Sequence, residues 1–227
     1  MGHEPTWGPA PPRPGSHAFV VNHRVDRRGG IVNSSKHIET QRLGTLSNTI
    51  FGVAMTLLAY RIPTAQFLNG PPVWSTIWAA YHSQIAALLL SFVVAGMFWY
   101  GHQRRLTYEP LATRSVVYLN LLFLLSIVAL PITSGLYGTY RDARDVIVLY
   151  SEHLAVISAL NAILWLLACV PRGQPDRAIG SIFVTGIFIA AAFVALVASQ
   201  TYVVPFIWCS AFAAPVIEAI MDARRQD

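Results

Sequence analysis

Residues 179–198 read IGSIFVTGIFIAAAFVALVA, a run without a charged side chain. A helix of about 20 apolar residues crosses the hydrocarbon core of a bilayer, which is ~30 Å thick. The rest of the chain shares this character, because 54% of its 227 residues are hydrophobic and only 12% are charged. A soluble domain has about 25% charged residues. The composition therefore argues against a water-soluble domain and predicts an all-α integral membrane protein.

Six apolar segments are long enough to span a bilayer. They are residues 43–61, 76–100, 115–134, 146–170, 179–199 and 202–221. Residues 1–40 are rich in proline, glycine and arginine and contain no apolar run, so they are predicted to form a disordered basic tail. The predicted organisation is a tail over 1–40, a six-helix membrane domain over 41–222 and a short C-terminus over 223–227.

The basic residues predict the orientation of the chain in the membrane. Thirteen of the sixteen lysines and arginines lie in the N-terminal tail, the second-to-third and fourth-to-fifth connectors and the C-terminus. Because basic residues collect in cytoplasmic loops, both termini are predicted to be cytoplasmic. The positive charges do not form one stripe with interleaved aromatic residues, so nucleic acid is not expected as a partner. The expected surroundings are the lipid bilayer of a plasma membrane.

The first segment differs from a lipid-facing helix because polar residues interrupt it. Thr49, Val53, Leu57 and Tyr60 follow helical spacing and form one stripe, with Thr56 beside it. Hydroxyl groups alternating with bulky apolar side chains suit a pore with a hydrophobic constriction. Serine and threonine are also common where membrane helices pack together. Periodicity alone favours helix packing and leaves the pore as the alternative.

Three short motifs then occur in order on the first three segments. They are Arg42-Leu43-Gly44-Thr45-Leu46-Ser47-Asn48 followed by Thr56-Leu57-Leu58, then Ser91-Phe92 with Trp99-Tyr100-Gly101-His102, then Asn120-Leu121-Leu122 leading to Leu130-Pro131. In these motifs the chain resembles the transmembrane protein 175 family, potassium channels of endosomes and lysosomes with shorter bacterial relatives. The resemblance covers about residues 42–221.

The resemblance implies a homotetramer whose first helices line a central pore that conducts potassium passively. Family members lack the Thr-Val-Gly-Tyr-Gly filter of ordinary potassium channels, and this chain also lacks it. By position, the resemblance places the constriction at Val53 and Leu57, with Tyr60 one turn further out. It places the hydroxyl layer associated with potassium preference at Thr56. Monovalent cations are then the permeant partners, and no cofactor is expected.

The resemblance also implies a hydrogen-bonded network that holds the pore helix at its cytoplasmic end. Its expected members are Arg42, Ser47, Asn48, Trp99, His102 and Asn120. The chain departs from the family pattern at two positions, where Leu46 replaces a phenylalanine and Asn48 replaces an aspartate. An amide at position 48 removes a charge-assisted pair with an arginine, so a weaker network is expected. Without the resemblance, His102 would be interpreted as a solvated loop histidine beside Arg104 and Arg105.

The sequence contains no short catalytic motif, and no enzyme activity is predicted. Ionisable residues within a span are candidates for function, and Glu152-His153 is the best such pair. The alternative function is therefore a secondary transporter or proton-coupled carrier that uses Glu152 and His153. The histidines and acidic residues show no metal-ligand spacing, so no metal site is expected.

Overall fold

The computed structural model describes residues 34–60, 72–108, 113–198 and 201–213, with side chains of the first range from residue 41 onward. Internal contacts divide the chain into two units, Met1–Ser34 and Ser35–Asp227, and apart from Ser34 the described residues belong to the second unit. The predicted disordered tail up to residue 33 and the C-terminus over 223–227 lie outside the described residues.

The described chain is helical. Its helices are α1 (Ser34–Tyr60), α2 (Trp74–Tyr108), α3 (Arg114–Thr139), α4 (Arg144–Cys169), α5 (Ile179–Val197) and α6 (Val204–Ser210). The first five are long and apolar enough to cross a membrane, which confirms the predicted class of multi-pass helical membrane protein. After α6 a single 3₁₀ turn covers Ala211–Ala213. Residues 214–221 of the predicted sixth span lie outside the described residues, so six spans stay a prediction.

Three helices extend beyond the apolar segments that predicted them. α1 begins at Ser34 instead of near residue 43, α2 continues to Tyr108, and α3 continues to Thr139. Hydropathy marks the part of a helix that suits lipid, whereas backbone hydrogen bonding continues into polar sequence until a breaker or cap ends it. The extension of α2 matters most, because it moves Arg105 from a predicted connector into a helix.

Aromatic side chains join the helices in the core. The ring of Phe98 on α2 lies 6.4 Å from that of Phe123 on α3 and 6.2 Å from that of Phe188 on α5. Tyr150 on α4 meets Trp208 on α6 edge to face at 5.0 Å. All five side chains are buried. Edge-to-face and tilted ring pairs fix the relative orientation of helices as well as burying area.

Hydrogen bonds between helices supplement this apolar packing. The Ser91 hydroxyl of α2 donates to the Ser134 hydroxyl of α3 at 2.7 Å and lies 2.7 Å from the Tyr150 hydroxyl of α4. Between α4 and α5, the Asn161 amide donates to the Ser181 hydroxyl at 2.9 Å. Such contacts between hydroxyls and amides are common in membrane bundles, where each is worth about 0.6 kcal/mol on average.

Two close contacts determine how the helices meet near the end of α3 and the start of α4. A Cβ atom on Gly138 of α3 would lie 3.2 Å from the Cβ atom of Ala87 and 3.2 Å from the Cα atom of Gln84, so α2 and α3 approach closely there. The guanidinium of Arg144, at the start of α4, donates to the carbonyl oxygens of Ala195 and Leu196. These carbonyls end α5 without partners in their own helix, and Arg144 therefore caps α5.

Candidate pore face and the clusters that hold it

α1 has one face packed on the described part of its own chain and one face that the described part leaves exposed. The buried face consists of Leu43, Ser47, Phe51, Ala54 and Leu58. The opposite face is exposed, and Val53 keeps 54%, Leu57 41% and Tyr60 83% of its possible accessible surface. The candidate pore residues therefore lie on the side of α1 that the other described residues do not cover.

The predicted stripe is narrower than expected. At 3.6 residues per turn, Thr49, Val53, Thr56 and Tyr60 fall within an arc of about 60° around the helix. Leu57 lies about 40° beyond Val53, at the edge of the exposed face. Helix geometry therefore puts the two threonines, the valine and the tyrosine near one line and puts Leu57 beside that line.

The threonine hydroxyls on this face donate their protons to carbonyl oxygens within α1. Thr49 Oγ1 donates to the carbonyl oxygen of Thr45 at 3.0 Å, and Thr56 Oγ1 donates to that of Gly52 at 2.8 Å. Because each hydroxyl proton is used within the helix, the oxygen lone pairs remain available as acceptors. Such an oxygen suits a cation better than an anion.

The expected bracing residues form two clusters instead of one network. In the first, which we call the amide cluster, Trp99 Nε1 donates to Asn48 Oδ1 at 2.9 Å and Gln103 Nε2 donates to the same oxygen. The amide cluster thus ties α1 to α2 through one acceptor on α1. Gln103 was not predicted, although it lies one turn after Trp99 and shares its helix face.

The second cluster, which we call the arginine cluster, joins α2 to α3 and consists of His102, Arg105 and Asn120. Arg105 Nη2 lies 2.8 Å from His102 Nδ1 and donates to Asn120 Oδ1 at 2.8 Å. All three side chains are fully buried. The interpretation of His102 as a solvated loop histidine is therefore wrong, because α2 continues through residues 102 to 108 and packs these side chains inside.

Two expected members belong to neither cluster. The Ser47 hydroxyl is buried but donates to the carbonyl oxygen of Leu43 in its own helix at 2.8 Å. Arg42 is exposed and makes no hydrogen bond with the part of the chain that the structure describes. The buried arginine is Arg105 instead of the expected Arg42, although the apolar segments predict a connector at position 105. The missed signal was its spacing of three residues from His102, which puts both on one face of a helix.

The candidate carrier residues do not form a shared site. Glu152 is exposed, whereas His153 points to α3, where its Nδ1 lies 2.8 Å from Thr133 Oγ1 and its Nε2 lies 3.0 Å from the carbonyl oxygen of Ser126. Consecutive residues on a helix differ by about 100° in direction. These contacts occupy both ring nitrogens of His153. Their partners on α3 lie before and after Pro131 in that helix. Among the described residues, no three histidine, cysteine or acidic side chains are grouped to hold a metal.

Comparisons with known proteins agree with this architecture. The family model for the endosomal/lysosomal potassium channel TMEM175 matches residues 42–131. A potassium channel of Streptomyces collinus is 29% identical over 133 residues, which are 56% of this chain and 63% of that protein, so the match spans less than two thirds of the relative. The crystal structure of a lysosomal potassium-selective channel TMEM175 homolog from Chamaesiphon minutus superimposes with a TM-score of 0.71 at 21% identity, covering 78% of this chain and 97% of that one. Through the motifs on α1 to α3 the chain is similar to the transmembrane protein 175 family over residues 42–131, and it shares the fold of the solved TMEM175 homolog.

Proposed function

We propose that the chain is a potassium channel in which the first helices of four copies surround a pore. The observation that supports this most is the composition of the exposed face of α1. On α5, the exposed residues are apolar, as in Ile189, Phe193 and Leu196. On α1, the exposed face carries Thr49 and Thr56 inside a predicted span. Polar groups at membrane depth usually face a bundle interior or water.

Within this pore, Val53 is the proposed constriction. It lies on the same line as Thr49 and Thr56, between their two hydroxyl layers. A ring of four valine side chains is an apolar barrier that can dewet, while the threonine oxygens on either side offer acceptors to a cation. Leu57, at the edge of the face, contributes to the same barrier from the side, and Tyr60 lies one turn further out.

Thr56 is the proposed source of potassium preference. Its proton is donated to Gly52, so four copies of Oγ1 around an axis present oxygen lone pairs to a partly dehydrated potassium ion. The ion passes through and is not a bound cofactor, and the proposed function involves no catalysis.

Assembly of four α1 helices is favoured by small residues on one flank of the exposed face. Thr45, Gly52 and Ala59 recur every seven residues, and a Cβ atom on Gly52 would meet nothing within 4 Å in the part of its chain that the structure describes. Small residues let membrane helices approach closely. In the proposed homotetramer these positions face the neighbouring α1, with both termini in the cytoplasm and the bundle in the plasma membrane.

The reversal potential of the purified protein in planar bilayers, with potassium on one side and sodium on the other, tests this function. A reversal potential displaced toward the potassium equilibrium potential, and altered in Thr56→Val, is expected. Absence of current, together with saturable flux that a pH gradient drives and that Glu152→Gln abolishes, would replace the channel by a carrier.

A further inference from the structure

One nitrogen of Arg105 forms hydrogen bonds with two neighbouring side chains. Its Nη2 lies 2.8 Å from both His102 Nδ1 and Asn120 Oδ1. A guanidinium has donors and no acceptor, so His102 Nδ1 must be the acceptor and the ring proton resides on Nε2. Arg105 therefore determines both the tautomer of His102 and the direction of its ring.

The His102 ring contacts the pore helix. One contact is with Phe123 of α3, whose ring is stacked at 5.6 Å, and another is with Phe51 of α1 at 6.0 Å. Phe51 and Phe123 also meet each other at 6.0 Å. The three rings form a buried aromatic group that joins α1, α2 and α3. Arg105 sets the position of the His102 ring within this group.

Phe51 is two residues from both Thr49 and Val53, on the opposite side of α1. A displacement of the backbone at Phe51 would move the exposed stripe with it, because a helix is a rigid element that can carry coupling between its two sides. Helix backbones pack mainly among α2 to α5, and α1 is attached by side chains such as Met55, whose Cε lies 3.6 Å from the position of a Cβ on Gly96.

We propose that Arg105 is a positioning residue for the pore, which acts through the His102 ring and Phe51 to set the rotation of α1. This inference rests on the proposed function, because it requires that α1 lines the pore. The competing explanation is that Arg105 only fastens α2 to α3 through Asn120. The two explanations differ in whether the effect of removing the guanidinium depends on His102.

A double-mutant cycle of Arg105→Met and His102→Phe separates them. Methionine keeps an unbranched apolar stem without donors, and phenylalanine keeps an aromatic ring without an acceptor. Single-channel conductance and open probability are measured for both single variants and the double variant in planar bilayers. We expect a change of about tenfold in one of these quantities for Arg105→Met, with no further change when it is added to His102→Phe. An effect of Arg105→Met that persists in full beside His102→Phe would overturn the proposal.

Arg104→Met is the matched control, since it removes the same charge one residue away, where the guanidinium lies over the Tyr100 ring at 5.8 Å. It should leave conductance within about twofold of wild type. Arg105→Lys, which can donate to His102 but lacks the planar fork, should restore part of the wild-type behaviour. If Arg105→Met does not assemble, the lysine variant and His102→Phe complete the comparison, and wild-type behaviour in both would overturn the proposal.

A second measurement does not depend on current. The rate at which a water-soluble thiol reagent modifies Thr49→Cys, in a background with Cys169 and Cys209 replaced by alanine, reports the exposure of the stripe. Arg105→Met should change this rate by about fivefold or more, and Arg104→Met should not. Absence of current in the wild-type protein would refute the proposed channel. An unchanged modification rate in Arg105→Met would refute only the positioning role of Arg105.

Discussion

Replacing Val53 by threonine should raise the conductance of the pore by lowering its apolar barrier. Threonine has nearly the shape of valine but substitutes a hydroxyl for one methyl group, so the width of the pore stays almost constant. Val53 is 54% exposed and lies between two hydroxyl layers on α1. The substitution therefore changes the wetting of the constriction more than its diameter.

The size of the effect follows from the number of copies in the proposed homotetramer. Each methyl group removed from an apolar ring changes the transfer free energy by about 0.8 kcal/mol, and four copies contribute roughly 3 kcal/mol. A change of 1.36 kcal/mol in a barrier is about tenfold in rate, so a change of roughly 3 kcal/mol sets an upper limit of roughly 200-fold. Other parts of the pore also resist ion flow, so we expect a rise in single-channel conductance of at least about fivefold.

Val156→Thr is the matched control, because Val156 on α4 is 52% exposed within another span but does not lie on α1. Single-channel recordings in symmetrical potassium chloride compare both variants with wild type. Conductance should rise for Val53→Thr and stay the same for Val156→Thr. Equal conductance in all three proteins would remove Val53 from the constriction and would refute the assigned phase of α1.

Three further predictions concern selectivity and packing. Thr56→Val should shift the reversal potential between potassium and sodium toward zero, because it removes four acceptor oxygens. Gly138→Ala should destabilise the protein by about 1–3 kcal/mol in thermal unfolding, since its Cβ would lie 3.2 Å from Ala87, whereas Gly186→Ala on open surface should be neutral or slightly stabilising. Ser91→Ala should cost about 0.6–1.7 kcal/mol of stability without altering selectivity, and a selectivity change there would contradict its purely structural role.

The five long spans and their approximate bounds could be predicted from the sequence, because lipid imposes an apolar composition on any helix that crosses it. The exposed stripe on α1 could also be predicted, since helical spacing groups Thr49, Val53 and Tyr60 regardless of the rest of the fold. The extension of α2 to Tyr108 could not. Its last turns are polar and resemble a connector in composition, although tertiary packing makes them helical and buries Arg105.

The partners within the clusters were also beyond prediction from sequence. The motifs place four polar side chains at the same end of three helices, namely Asn48, Trp99, His102 and Asn120. They do not show which donor meets which acceptor. That pairing depends on the rotation of each helix about its axis, which is set by packing in three dimensions. The expected single network therefore separates into the amide cluster on the α1 side and the arginine cluster on the α3 side.

This separation explains how the chain accommodates asparagine where the family pattern has aspartate. A carboxylate at position 48 would be stabilised by a nearby arginine, but Arg42 is exposed and Arg105 bonds His102 and Asn120 instead. The donors that reach Asn48 are the neutral groups of Trp99 and Gln103. An amide oxygen has two lone pairs, so it accepts from both neutral donors and needs no arginine beside it. With Arg105 committed to the arginine cluster, asparagine keeps the tie between α1 and α2 without needing a charged partner.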